Sequence, residues 1–189
     1  MIGAVMAGGA SRRMGRDKAG LLVDGEALWR RQTRILRDAG AERVAVVRRR
    51  DQSDLGAPLC LRDRGSDAGP LAGLESALIE ARRVAGLESF LAVLAVDMPG
   101  IDAAWFRRLR QACRPGRGAV GRHAAACEPL AAIYPLGALE EVSRRLASRV
   151  HSLQELAFAL AEAGRLAFVS IASSEQGRFA SANTPQDLE

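Results

Sequence analysis

Lysine is almost absent from this sequence: of its 27 basic residues 26 are arginine, and the one lysine is Lys18. Aromatic residues are scarce as well, at 4%, and do not interleave with the arginines, which argues against a stacking platform for single-stranded nucleic acid. The three cysteines, Cys60, Cys113 and Cys127, lie far apart with no CxxC spacing. Neither a disulfide framework nor a metal cluster is expected from them; buried, reduced thiols are. The two histidines, His123 and His151, are isolated from each other and from any cysteine pair, so no zinc-ligand set is visible. No apolar run approaches the roughly 18–20 residues that span a bilayer. The N-terminal run Ile2–Ala10 is short, broken by glycine and not preceded by basic residues, unlike a signal peptide. These absences predict a cytoplasmic protein with no membrane and no nucleic-acid partner.

What is present fits one globular domain over residues 1–189, with 48% apolar and 26% charged residues. The net charge of +5 calls for an anionic partner without choosing its kind. Ile2–Met6 is a short apolar run that reads as a buried first strand, followed by a polar, glycine-rich loop over residues 7–19. Leu21–Val23 reads as a small extended piece ending in an Asp24-Gly25 turn. Helical stripes follow over about 27–39 and 71–84, closed near Gly40 and Gly86. Phe90–Val96 is apolar throughout, as a central parallel strand should be, and it ends at Asp97-Met98-Pro99. Further helices are expected over about 102–113, 136–146 and 153–163. Strands are expected at 44–47, 59–61, 129–134 and 165–171, with a polar tail after the last. Alternating strands and helices with short links predict an α/β fold: a Rossmann-like three-layer α/β/α arrangement around a mostly parallel central sheet.

The loop after the first strand carries the main chemical signal. Gly8 and Gly9 let the backbone approach a ligand closely, and successive loop amides can form an anion-binding concavity. Arg13 and Lys18 add charge suited to a triphosphate. The loop is not a P-loop, because Ala19 follows Lys18, nor a GxGxxG turn, because its first two glycines are adjacent. That a chain writing nearly every cation as arginine keeps its lysine here is itself informative, since a compact ammonium is not interchangeable with a planar guanidinium at a tight phosphate site. Asp97, ending the strongest strand, is where ligands of open α/β sheets gather. It suits Mg²⁺, which needs only one or two carboxylates when phosphate oxygens and water complete its shell. Tyr134 and His123 read as structural.

Met6-Ala7-Gly8-Gly9-Ala10-Ser11-Arg12-Arg13-Met14-Gly15-Arg16-Asp17-Lys18 closely resembles the signature loop of the molybdenum cofactor guanylyltransferases. Relatives on the same nucleotide-diphospho-sugar transferase type of fold that move other groups usually carry Pro-Lys where this chain has Asp17-Lys18. Asp63 with Gly69-Pro70-Leu71-Ala72-Gly73 resembles the segment that holds the guanosine, with Asp67 as a competing carboxylate. Asp97-Met98-Pro99 resembles the metal-binding Asp-x-Pro, and Asn183-Thr184-Pro185 a motif near the pterin. Two departures stand out. Ser181-Ala182-Asn183 replaces a more usual Asn-x-Asn, and Arg48-Arg49-Arg50 follows the second strand where a nucleotide-contacting asparagine is common.

The resemblance implies a Mg²⁺-dependent transfer of GMP from GTP to the terminal phosphate of molybdopterin or the molybdenum cofactor. Lys18, Arg13 and Asp97 would be catalytic, with Asp97 holding the metal. Met6, Ala7, Gly8, Gly9, Lys18, Asp63, Gly69, Pro70, Leu71 and Asp97 would bind the nucleotide, and Arg149, Ser181 and Asn183 would face the acceptor. It further implies transient contact with molybdoenzyme chaperones or apo-enzymes. Two rivals stay open at this point. One is a cytidylyl- or other nucleotidyltransferase of the same fold, acting on another phosphorylated acceptor. The other is a non-catalytic, basic nucleotide- or cofactor-binding protein.

Overall fold

The structure, a computed structural model, describes residues 1–8, 17–63, 69–182 and 187. The chain runs β1 (Ile2–Met6), a hairpin of β2 (Leu22–Val23) and β3 (Glu26–Ala27), α1 (Leu28–Asp38), β4 (Arg43–Arg48), β5 (Cys60–Arg62) and α2 (Pro70–Val84). It continues through β6 (Phe90–Ala95), α3 (Ala103–Ala112), β7 (Gly118–His123), β8 (Ala126–Cys127), β9 (Ala131–Pro135), α4 (Leu139–Ala147), α5 (Leu153–Glu162) and β10 (Leu166–Ser170).

Among the described residues the main sheet has the order β10-β7-β9-β6-β1-β4-β5, with β8 paired to β7. β1 lies at its functional centre, parallel to β4 on one side and to β6 on the other. β5 extends the parallel half beyond β4, while β9 runs antiparallel between β6 and β7. Alternation along the strands sends side chains to two cores. Ala92 and Leu94 of β6 pack with Leu28, Ile35 and Leu36 of α1 and with Trp105 and Phe106 of α3. Leu91 and Val93 pack on the opposite face with Leu71, Leu74 and Leu78 of α2, Val142 of α4 and Leu156 of α5. Both faces of β6 are therefore covered, which is why its sequence is continuously apolar rather than alternating. Helices on both sides of a mostly parallel sheet complete the three-layer arrangement expected from the sequence.

The Asp24-Gly25 turn has both residues at positive φ, 51° and 78°, as a two-residue hairpin requires. Helix α2 opens at Gly69, whose φ of 57° and ψ of −147° belong to a region that essentially only glycine enters. Pro70 follows at the first helical position, where its missing N–H costs nothing. The polar tail expected after β10 is in part a 3₁₀ helix, Ser173–Phe179. It forms because Phe179 is drawn into the core, edge-on to Trp105 with ring centroids 4.9 Å apart. This apolar contact, with the Arg108–Glu175 and Arg178–Asp102 ion pairs, organises a segment with almost no apolar periodicity.

Candidate active site

Hydrogen bonding carries on past the ends of the parallel strands and fixes the roots of their loops. Ala7 N donates to Val47 O (2.8 Å), Val96 N to Met6 O (3.0 Å) and Asp63 N to Arg48 O (2.9 Å). These carboxyl ends, with the start of α2, enclose a cleft of about 420 Å³. Its walls include Met6, Ala7, Gly8, Asp17, Lys18, Arg48, Asp63, Gly69, Pro70, Gly73 and Asp97. This is the edge of an open α/β sheet at which ligands bind.

One end of the cleft is built around Lys18. Its ammonium donates to Asp97 Oδ2 at 3.3 Å and to the carbonyl of Ala182 at 3.0 Å. Lys18 begins a short 3₁₀ turn, Lys18–Gly20, capped by Asp17, whose Oδ1 accepts from Ala19 N at 3.1 Å. The Asp97 loop is held twice more. Ala182 N donates to Asp97 O at 2.8 Å. From α1, the buried amide of Gln32 donates to Met98 O at 2.8 Å and to Ala95 O at 3.3 Å, on either side of Asp97. Lysine and aspartate side chains are 17% and 27% exposed, so the pair is partly desolvated yet open to a ligand.

Arg48 and Asp63 shape the other end. Arg48 ends β4 with its side chain 1% exposed, and its Nη2 donates to Asp17 Oδ2 in an ion pair. Asp63 is 7% exposed, and burial pushes its carboxyl above the ordinary value of 3.8 against the opposing pull of the Arg49 and Arg50 charges. Arg49 and Arg50 serve the loop itself: Arg49 pairs with Asp51 at 2.8 Å, and Arg50 Nε donates to Asp63 O at 3.0 Å.

The cleft thus gathers Met6, Ala7, Gly8, Lys18, Asp63, Gly69, Pro70 and Asp97 from the residues expected for nucleotide binding. Leu71 is different: its side chain is fully buried in the core under α2, so only its backbone N–H, in the helix's first turn, can face a ligand. Ser181 adjoins Ala182 and so stands next to the Lys18–Asp97 pair. Arg149 is exposed in the turn between α4 and α5, at positive φ of 56°, and is not part of the cleft wall. Gly9, Arg13, Asp67 and Asn183 lie outside the described residues. Tyr134 is fully buried with its hydroxyl donating to Pro129 O at 2.8 Å, His123 lies 2.8 Å from Glu128, and neither lines the cleft.

Sequence reasoning gave no role to three residues that shape the site. Ala182 contributes only backbone and has no side-chain signal. Gln32 is hidden among the apolar positions of α1. Arg48 had a readable sign, a charged residue at the end of the buried strand RVAVVR.

No three His, Cys, Asp or Glu side chains among the described residues gather as a metal cage. Asp97 is instead a single carboxylate at the mouth of a cleft, which fits a hard cation arriving with phosphate and water as its other ligands.

A partly desolvated ammonium, locked to a carboxylate where a glycine loop meets parallel strands, is equipment for handling a nucleotide's phosphates; the class is that of the α/β nucleotide-binding transferases. Residues 3–171 match the family model of the MobA-like NTP transferase domain. A probable molybdenum cofactor guanylyltransferase of Opitutus terrae is 50% identical over 100% of this chain and 93% of its own length. Another from Pelotomaculum thermopropionicum is 33% identical over 98% of this chain and 89% of its own. The chain belongs to the MobA-like NTP transferase family and, within it, groups with the molybdenum cofactor guanylyltransferases. The fold is shared with molybdopterin-guanine dinucleotide biosynthesis protein A of Archaeoglobus fulgidus, at a TM-score of 0.72, 22% identity and coverage of 100% and 95% of the two chains. It is shared too with 2-C-methyl-D-erythritol 4-phosphate cytidylyltransferase of Thermus thermophilus, at a TM-score of 0.65, 18% identity and coverage of 99% and 95%.

Proposed function

We propose that this protein transfers GMP from GTP to the terminal phosphate of molybdopterin or the molybdenum cofactor, forming the guanine dinucleotide cofactor. The observation that carries the chemistry is the Lys18–Asp97 pair at the carboxyl edge of β1 and β6. The acceptor is read from the 50% identical relative.

An oxygen of the acceptor's terminal phosphate attacks the α-phosphorus of GTP. The new phosphoanhydride bond forms as the bond between the α-phosphorus and the bridging oxygen breaks, and that oxygen leaves with pyrophosphate. Such a reaction asks for positioning and charge neutralisation more than for a nucleophilic side chain. Lys18 neutralises phosphate oxygens, with its ammonium aimed by Ala182 O and Asp97. Gly8, with no side chain, lets its own backbone approach the phosphates. Asp97 would hold Mg²⁺, which when bound offsets negative charge on the phosphate oxygens. Action in the cytoplasm and hand-over of the product to apo-enzymes or their chaperones belong to the same reading. Consistent with it, no helix among the described residues is long and apolar enough to cross a membrane.

The deciding experiment is pyrophosphate release from GTP, CTP, ATP and UTP with Mg²⁺, with and without molybdopterin. Release from GTP alone, requiring the pterin and lost in Asp97→Asn, is the expected result. Preference for CTP would keep the chemistry and move the protein to cytidylyl transfer. Binding that weakens steeply with salt but never releases pyrophosphate would replace the enzyme with a carrier.

A further inference from the structure

Arg48 is the bulkiest of the fully buried side chains, and by itself it does little for stability. Its Nη2 donates to Asp17 Oδ2, but Nε and Nη1 have no acceptor among the described residues. A guanidinium cannot shed its charge inside a protein, and buried donors left unpaired are costly. Replacing a buried ion pair with apolar side chains of similar volume is often neutral or stabilising. The packing of β4 therefore does not call for a charge at its end. What Arg48 grips does.

Asp17 uses its two carboxylate oxygens for two tasks. Oδ2 accepts from Arg48, while Oδ1 accepts from Ala19 N at 3.1 Å and caps the turn that begins with Lys18. Two backbone bonds tighten that turn, Gly20 N to Asp17 O at 3.2 Å and Leu21 N to Lys18 O at 3.1 Å. One carboxylate thus fastens the backbone of Lys18 to the end of β4. That end is itself fixed, since Arg48 is in register with Arg62 of β5 and its carbonyl accepts from Asp63 N at 2.9 Å. Lys18 is anchored to β4 by Arg48, and the Asp97 loop to α1 by Gln32. Two separate anchors therefore set where ammonium and carboxylate meet, at 3.3 Å.

We propose that Arg48 is a positioning residue for the transfer reaction: through Asp17 it holds the turn that carries Lys18, and so places the ammonium that neutralises the phosphates. A reacting group displaced by about 1 Å can cost about a hundredfold in rate, which gives a buried anchor behind Lys18 a use that packing does not. The role runs through Lys18 and asks for no contact between Arg48 and the nucleotide. It rests on the reading of the cleft as a nucleotidyl-transfer site.

Because Lys18 is the chain's one lysine, protein made with isotope-labelled lysine gives a single lysine side-chain signal in NMR. The comparison is between wild type, Arg48→Met, which removes the charge but keeps much of the bulk, and Asp17→Asn. Asparagine retains an oxygen for Ala19 N and gives up the ion pair. Thermal melting verifies that each variant is folded. In both, with no nucleotide present, the Lys18 signal should move from its wild-type position toward that of the unfolded chain. Turnover of GTP should fall about tenfold, with KM for GTP nearly unchanged. In a Lys18→Ala background either substitution should cost less than about twofold more, because its effect travels through the ammonium. The assignment is overturned by a Lys18 signal that stays in place or by losses that multiply in the Lys18→Ala background. A loss confined to KM overturns it as well and makes Arg48 a direct nucleotide contact. The Asp17 side chain is 32% exposed, so Asp17→Asn decides the question even where Arg48→Met does not fold. If the signal moves but the wild type transfers no nucleotide, the proposed function falls and the positioning stands. If transfer occurs and the signal stays, the positioning falls and the function stands.

Discussion

Lys18 and Asp97, 79 positions apart in the chain, meet at 3.3 Å, and the same ammonium lies 3.0 Å from the carbonyl of Ala182. Three loops from three parts of the chain thus converge on one nitrogen atom. Lys18→Ala should lower turnover about a hundredfold, the scale seen when one charge-stabilising donor is removed. Lys18→Arg should not restore it, because a planar fork cannot take the place of a compact ammonium between Asp97 and Ala182. Single-turnover pyrophosphate release measures both, and near-normal rates would take this loop out of catalysis.

Gln32 is a positioning residue: it does not line the cleft but ties the backbone on both sides of Asp97. Gln32→Leu keeps the volume and removes both bonds. Stability should fall by about 1–3 kcal/mol in denaturant unfolding. Turnover should fall by roughly tenfold to a hundredfold, as reacting groups drift from alignment, with KM for GTP little changed. A loss confined to stability would show that the Asp97 loop holds its place without this side chain.

For Asp63 the folded-state pKa lies above the ordinary 3.8, with burial as the main cause. Between the unfolded and folded values the native protein binds the extra proton, so stability falls as pH rises through that window. The contribution is fully present below 3.8 and lost once pH passes the folded value. Asp63→Asn cannot ionise and escapes this loss. Its Tm advantage over wild type should grow as pH rises above 3.8 and level off once pH passes the folded value, while its affinity for GTP drops. A Tm difference independent of pH would mean that Asp63 is not destabilised by ionising.

The thiols make a separate check on the core. Burial raises Cys113, and burial together with the nearby Glu128 carboxylate pushes Cys127 up to about 11. Cys60 is only half-buried. At about pH 8 a disulfide reagent should label one thiol per native chain and three after denaturation. Rapid labelling of Cys127 in the native protein would contradict its placement between β7 and α5.

Most of the framework could be read from the chain because local pattern and burial coincide. Phe90–Ala95 is apolar on both faces because both faces are covered, and the start of α2 is marked by Gly69-Pro70. Alternation of strands and helices predicts parallel strands, but no helix separates β7, β8 and β9, and β9 turns out antiparallel between β6 and β7. The segment Ser173–Phe179 was illegible because long-range contacts organise it: Phe179 against Trp105, Glu175 with Arg108 and Arg178 with Asp102. At the site, residues whose side chains bear charge in a loop or at a strand end, Lys18, Asp63 and Asp97, stood out. Gln32 did not, since a buried amide in an amphipathic helix resembles any polar interruption, and a backbone carbonyl such as that of Ala182 is identical in every sequence.

The contact between Lys18 and Ala182 spans 164 positions. During synthesis the loop that carries Lys18 is made 164 positions before its carbonyl partner exists. Closing so long a loop is entropically slow, although the added cost per residue is small. A nascent chain stalled before residue 182 therefore has its sheet centre β1-β4-β6 but a lysine lacking one of its fixed acceptors. The last fixed contact that aims this ammonium is thus among the last of the site to be assembled.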